Sequence, residues 1–223
     1  GGPVKIGRGL AVVRQGRRLL QCEKGMDRET AGLVWARGVN RYRNMGMLVE
    51  TLPTTIVRYP DPRLRRKCEL VEDFDDSLSA LVERMFEIMH RDRGVGLAAP
   101  QVGVSRLLFV CNPTGKPEDN LVYINPVLSD LVGAVESEEG CLSFPDLTAS
   151  VRRAKRCRIQ AVDLAGNPID HTGEGLIARI WQHEMDHLEG RLIIDRMNET
   201  DKIANKRILT DLESAYRNRA GKK

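Results

Sequence analysis

The chain has 223 residues, 41% hydrophobic and 30% charged, with a formal net charge of +4, a balance that suits a soluble globular protein of one domain with an appendage. No apolar run approaches the ~20 residues of a membrane span, and the N-terminus lacks the charged-then-apolar order of a secretion signal. The five cysteines (Cys22, Cys68, Cys111, Cys141, Cys157) have no paired spacing, which argues against a disulfide framework and for a reducing compartment, the cytoplasm.

The basic excess is local. Residues 1–46 carry ten Lys/Arg against Glu23, Asp27 and Glu29, whereas the remainder is slightly acidic, with 25 basic and 28 acidic residues. Specific DNA binding by the main body is therefore not suggested. Residues 1–46 have weak periodicity, no serine where a transit peptide is serine-rich, and a Gly-Gly start. They read as a basic N-terminal extension that is disordered or not native, a cloning remnant or upstream sequence with the natural start at Met45 or Met47. The functional alternative is a basic arm for RNA or an acidic surface.

The main body is read as 47–223. Arg58-Tyr59-Pro60-Asp61-Pro62 is an extended, proline-stiffened segment. Asp75, Asp76 and Ser77 offer N-caps for a helix through His90, with Leu78, Leu81, Val82, Met85 and Met89 as its core stripe. Gly94-Val95-Gly96-Leu97-Ala98-Ala99-Pro100-Gln101 is too small-residued for a packed helix, and its glycines permit close approach of backbone or ligand. Leu107 to Cys111 and Leu121 to Ile124 are short β-type runs, closed by Asn112-Pro113 and Asn125-Pro126. Cys157 to Leu164 alternates with period two and enters a turn at Ala165-Gly166-Asn167-Pro168. A terminal helix from about Asn198 carries Ile203, Leu209, Leu212 and Tyr216 on one side and ends in Arg217, Arg219, Lys222 and Lys223.

The strongest chemical signal is Trp181-Gln182-His183-Glu184-Met185-Asp186-His187, which holds two of the chain's four histidines in the pattern H-E-x-x-H. On a helix, His183 and His187 share one face one turn apart and can hold a single metal ion, while Glu184 can reach a metal-bound water. Thr172 is the expected N-cap, Leu176, Ile177 and Ile180 give the apolar face, and Gly190 ends the helix.

Three motifs stand in order: Gly94-Val-Gly-Leu-Ala-Ala-Pro-Gln101, Glu139-Gly-Cys-Leu-Ser143 and Gln182-His-Glu-Met-Asp-His187. Together they resemble the signature motifs of peptide deformylases, over about Thr51 to Met197 and more loosely through the terminal helix. The resemblance implies an α+β fold with antiparallel sheets packed around the central H-E-x-x-H metal helix and a long C-terminal helix. It implies a catalytic domain over 47–223 that removes the formyl group from the N-terminal formyl-methionine of newly synthesised proteins and releases formate. Its partners would be nascent formyl-methionyl polypeptides, with ribosome contact through the C-terminal helix and no membrane.

The resemblance also assigns roles. Cys141 joins His183 and His187 as metal ligand, leaving an open position for water. The implied physiological ion is Fe²⁺, with Zn²⁺, Ni²⁺ or Co²⁺ able to occupy the site. Metal-bound hydroxide attacks the formyl carbon, with Glu184 as general base and then acid. The Leu142 backbone N–H and the Gln101 side-chain amide face the oxyanion. The peptide adds as a strand near Gly96, and Val95, Leu142, Leu176 and Ile180 are candidates for the methionine pocket. Arg153 is expected to support the fold through an acidic partner. Two alternatives remain at this level. One is a zincin-type metallopeptidase, though no histidine follows His187 to serve as a third ligand. The other is a non-enzymatic ribosome-associated protein that keeps the fold.

Overall fold

The computed structural model describes residues 52–221. The readings of residues 1–46 and of the last two lysines fall outside them.

Helix α1 is Asp76–Arg91. Asp75 Oδ1 caps it by accepting from the backbone N–H groups of Ser77 and Leu78, both at 3.0 Å. Its buried stripe is Leu78, Val82, Met85, Ile88 and Met89, so Leu81 lies at the rim of the expected face and Ile88 belongs inside it. The chain leaves the helix where Gly94 N–H donates to Met89 O at 2.8 Å.

A five-stranded antiparallel sheet follows. Its strands are β1 (Gly96–Ala98), β2 (Leu108–Cys111), β3 (Leu121–Val132), β6 (Arg156–Val162) and β7 (Pro168–Glu174), in that spatial order. Leu97, Leu108, Val110, Val122 and Ile124 face α1. The alternate residues Ala98, Phe109, Cys111, Tyr123, Cys157 and Ile159 face a second helix, α2 (Leu176–Leu188), through Ala178, Ile180, Trp181 and Leu188. Burial on both faces explains why β2 and the start of β3 read as continuous apolar runs and not as alternation.

Strand β3 does not close at Asn125-Pro126 as the sequence suggests. It continues to Val132 through a register shift between Ile124 and Val127, with Asn125 at φ 52°. A proline cannot donate to the ladder, and the bulge absorbs that missing bond. The Asn125 side chain also binds Val71, donating to its carbonyl and accepting from its N–H, both at 2.9 Å.

Strands β4 (Val135–Cys141) and β5 (Phe144–Arg153) form a separate hairpin with Cys141 at its tip. β5 buries Phe144, Leu147, Ala149, Val151 and Arg153. The hairpin core joins Val57, Leu64, Leu192 and Ile193.

Thr172 is not the N-cap of α2. β7 stays paired with β6 as far as Glu174, and Gly175 at φ 66° turns the chain into the helix. Gly173 is equally constrained, because a Cβ there would lie 2.5 Å from Trp181 Cζ3.

The C-terminal segment is two helices, α3 (Glu199–Ala204, capped by Asn198) and α4 (Lys206–Ala220). They break at Asn205, whose side-chain amide donates to Thr148 O at 2.9 Å and so ties the joint to β5. Ile208, Leu209 and Leu212 pack on the hairpin core, whereas Ile203 is 75% exposed and lies off the expected apolar side. No described helix is long and apolar enough to cross a membrane.

Candidate active site

Helix α2 presents His183 and His187 from successive turns, and the hairpin tip brings Cys141 against them. The donor atoms of the three residues lie within 4.8 Å of one another, and Cys141 Sγ is 3.3 Å from His187 Nε2. Metal–ligand bonds of ~2.0–2.3 Å at tetrahedral angles place ligand atoms roughly 3.3–3.8 Å apart, so this donor set fits a divalent ion. Three ligands leave a coordination position open, the pattern of catalytic and not structural sites.

The candidate ligands are oriented from outside. His183 Nδ1 lies 2.8 Å from Glu139 Oε2, so with the proton on Nδ1 the free Nε2 is the nitrogen left available to a metal. Arg153 forks onto Glu139, with Nε to Oε1 at 2.6 Å and Nη2 to Oε2 at 2.9 Å, and its Nη1 reaches Asp186 Oδ2 at 2.8 Å. Arg196 also pairs with Asp186. Arg153 therefore has two acidic partners, as a fold-supporting arginine should. Burial works to raise the Glu139 carboxyl, but hydrogen bonds from His183 and Arg153 outweigh it and hold the group at about 2. For His183, burial opposes the charged form, and Cys141 and Glu139 reverse that and raise its pKa well above the ordinary value in the metal-free chain.

Glu184 is 4% exposed, and burial raises its pKa to about 7 against the opposing charges of His183 and Arg153. Its carboxylate lies on Gly96, where a Cβ would come 2.8 Å from Glu184 Cδ. Its Oε2 is buried with no hydrogen-bond partner among the described residues. This carboxylate, uncommitted and poised near neutrality, has the properties of a proton carrier. Gln101 is held the other way round. Its Oε1 accepts from Ala98 N–H at 2.8 Å, which fixes the amide and aims Nε2 at Ser143 Oγ (3.3 Å) and Cys141 Sγ (3.6 Å).

These groups open into one cleft of about 920 Å³. Val95, Gly96, Gln101, Cys141, Leu142, Leu176, Ile180, His183 and Glu184 line it, while His187 lies buried behind. Val95 and Leu176 are 46% and 53% exposed at its mouth, and Ile180 is buried. Sequence reasoning placed Glu139 and Ser143 inside a motif without a role and missed Arg179. Arg179 stands four residues before His183, the one signal that could have drawn attention to it.

The Glu139 shift has a consequence for acid stability. A carboxyl whose folded value is depressed stabilises the fold fully above its unfolded value of about 4.5 and loses that contribution as pH falls toward about 2. Metal-free protein should therefore lose stability through that window, and Glu139→Gln should show a flatter decline. Unfolding midpoints measured from pH 6 to pH 2.5 check this, and parallel curves for the two proteins would contradict it.

The polypeptide deformylase family profile matches residues 53–203. A chloroplastic peptide deformylase 1B of Oryza sativa subsp. japonica is 42% identical over 172 residues, which cover 76% of this chain and 64% of the relative. This chain thus spans somewhat less than two thirds of the rice relative's length. A peptide deformylase of Acidobacterium capsulatum is 44% identical over 145 residues, 64% of this chain and 85% of the relative. The crystal structure of a Plasmodium falciparum peptide deformylase matches with a TM-score of 0.71 at 40% identity, covering 73% of this chain and 97% of that one. The matched stretch covers most of the described chain and contains all three motifs and the clustered donor residues, and on that ground the chain belongs to the polypeptide deformylase family.

Proposed function

We propose that this chain removes the formyl group from the N-terminal formyl-methionine of newly made polypeptides, releasing formate and a free amine. The observation that carries the reading is a buried Glu184 carboxylate, its Oε2 without a hydrogen-bond partner among the described residues, in the same cleft as the Cys141, His183 and His187 donor set. A divalent ion held by those three residues supplies Lewis acidity and makes water nucleophilic near neutral pH. Glu184 takes the proton of the attacking water and returns it to the leaving amine. The Gln101 amide and the Leu142 backbone N–H stabilise the oxyanion as it develops on the formyl oxygen. The peptide backbone adds as a strand along Gly96, which makes recognition largely independent of sequence, and Val95, Leu142, Leu176 and Ile180 accept the methionine side chain. Formate release from a formyl-Met tripeptide, with no product from its unformylated counterpart, is the direct test.

The resident ion in this proposal is Fe²⁺, with Zn²⁺, Ni²⁺ or Co²⁺ as substitutes. A thiolate ligand beside a redox-active ion is open to oxidation, and an oxidised sulfur is a poorer ligand. The Fe²⁺ form should therefore lose activity in air while the Zn²⁺ form keeps it, and mass spectrometry should find added oxygen on Cys141 before Cys22 or Cys68. Equal air stability of the two forms would contradict Fe²⁺ chemistry at this thiolate.

Residues 47–223 form the catalytic unit in this reading, and residues 1–46 lie outside its chemistry. Deleting 1–46 should leave folding and short-peptide turnover unchanged. Insolubility or a large fall in kcat would place that segment inside the catalytic unit. The basic end of α4, with Arg217 and Arg219 in its last turn, would meet the ribosome. The cytoplasm is the proposed compartment, supported by the free cysteines 68, 111, 141 and 157. Cell fractionation separates it from the organelle that the rice relative's name carries.

A further inference from the structure

Helix α2 forms one wall of the cleft, and Arg179 stands on that wall one turn before His183. Leu176 and Ile180 flank it there, so a cation invites the reading that it meets substrate. Its bonds point elsewhere. Nη1 donates to Glu139 Oε1 at 2.6 Å and to Val151 O at 3.0 Å, and Nη2 donates to Val135 O at 2.9 Å. The side chain is only 12% exposed. All three acceptors belong to the β4–β5 hairpin, whose tip carries Cys141.

Two guanidiniums thus join the ligand-bearing elements in opposite directions. Arg153 reaches from the hairpin to Asp186, the residue before His187. Arg179 reaches from the helix to Glu139, the carboxylate whose other oxygen holds His183. Arg153 also grips Glu139, but both of those residues lie within the hairpin, so that bond does not tie hairpin to helix. At Glu139 the tie is made by Arg179 and by His183 itself.

We propose that Arg179 is a positioning residue for the metal centre, clamping hairpin to helix so that Cys141, His183 and His187 stay in register. Two physical effects of removing it have opposite signs. A guanidinium near a dication repels it, so charge alone makes the site bind metal more tightly once Arg179 is gone. Loss of the clamp loosens the ligand geometry and weakens binding, and outer-shell partners of a ligating histidine typically matter by ~10–100-fold in affinity. The clamp account requires the second effect to win.

The inference rests on the metal-site reading above, and its test reads metal affinity instead of turnover. Zn²⁺ affinity would be measured by chelator competition for the unsubstituted protein, Arg179→Met and Arg179→Lys, alongside thermal midpoints of the metal-free forms. Arg179→Met should bind Zn²⁺ about tenfold more weakly or worse. Arg179→Lys should also weaken it, because an ammonium keeps the charge but loses the planar fork that reaches three acceptors. Equal or tighter Zn²⁺ binding by Arg179→Met would overturn the proposal. A lowered midpoint with unaltered affinity would overturn it too, leaving only a structural role. If Arg179→Met does not fold, Arg179→Lys decides by the same criterion. Zn²⁺ binding without formate release by the unsubstituted protein would sink the proposed function and leave Arg179 its role. No Zn²⁺ binding at all would sink both.

Discussion

Glu184→Gln is expected to keep its metal and lose turnover by ~10²-fold or more, the usual cost of a missing general base. The amide has the shape of the carboxylate, so it can lie on Gly96 as Glu184 does and leave Cys141, His183 and His187 undisturbed. What it cannot do is accept the proton. Neither of two described neighbours replaces it, since Gln101 is an amide and Glu139 is committed to Arg153, Arg179 and His183. The variant would be loaded with one metal, its content measured, and kcat compared on the same formyl-Met peptide. A metal-replete variant with near-normal kcat would remove Glu184 from the chemistry.

The second large effect is on stability. Arg153→Ala is expected to destabilise the protein by about 3–5 kcal/mol, the range for removing one partner of a buried ion pair. The Arg153, Glu139 and Asp186 side chains are 3%, 5% and 8% exposed, so the variant leaves two buried carboxylates short of a partner. Arg179 and Arg196 remain on the two carboxylates and keep the loss from being larger. Urea unfolding of metal-free protein measures it. A loss under about 1 kcal/mol would mean that the network contributes no more than a surface pair.

What could be read from sequence was local. His183 and His187 are four apart on one helix, so their convergence follows from helix geometry alone. The stripe of α1 was legible for the same reason. Thr172 misled because β7 is held extended by pairing with β6, and no feature near Thr172 records that partner. Strand β4 escaped notice because Val-Glu-Ser-Glu-Glu-Gly-Cys has neither β propensity nor a buried face for most of its length. Asn125-Pro126 looked like a strand end because a bulge is visible only once β3 has its neighbours. Cys141 as third ligand came from the resemblance, since a lone cysteine carries no spacing signal. The grip of Arg153 and Arg179 on Glu139 spans 14 and 40 residues and exists only in the fold.

The central claim is that the cleft holding Cys141, His183, His187 and Glu184 hydrolyses a formyl amide. Its most direct test is formate release per bound metal ion by anaerobically purified protein, with a formyl-Met peptide beside the same peptide unformylated. The account predicts one ion per chain, formate matched by free amine, and no cleavage of an internal peptide bond. Fully metal-loaded protein that releases no formate, or that cuts the unformylated peptide instead, would contradict it.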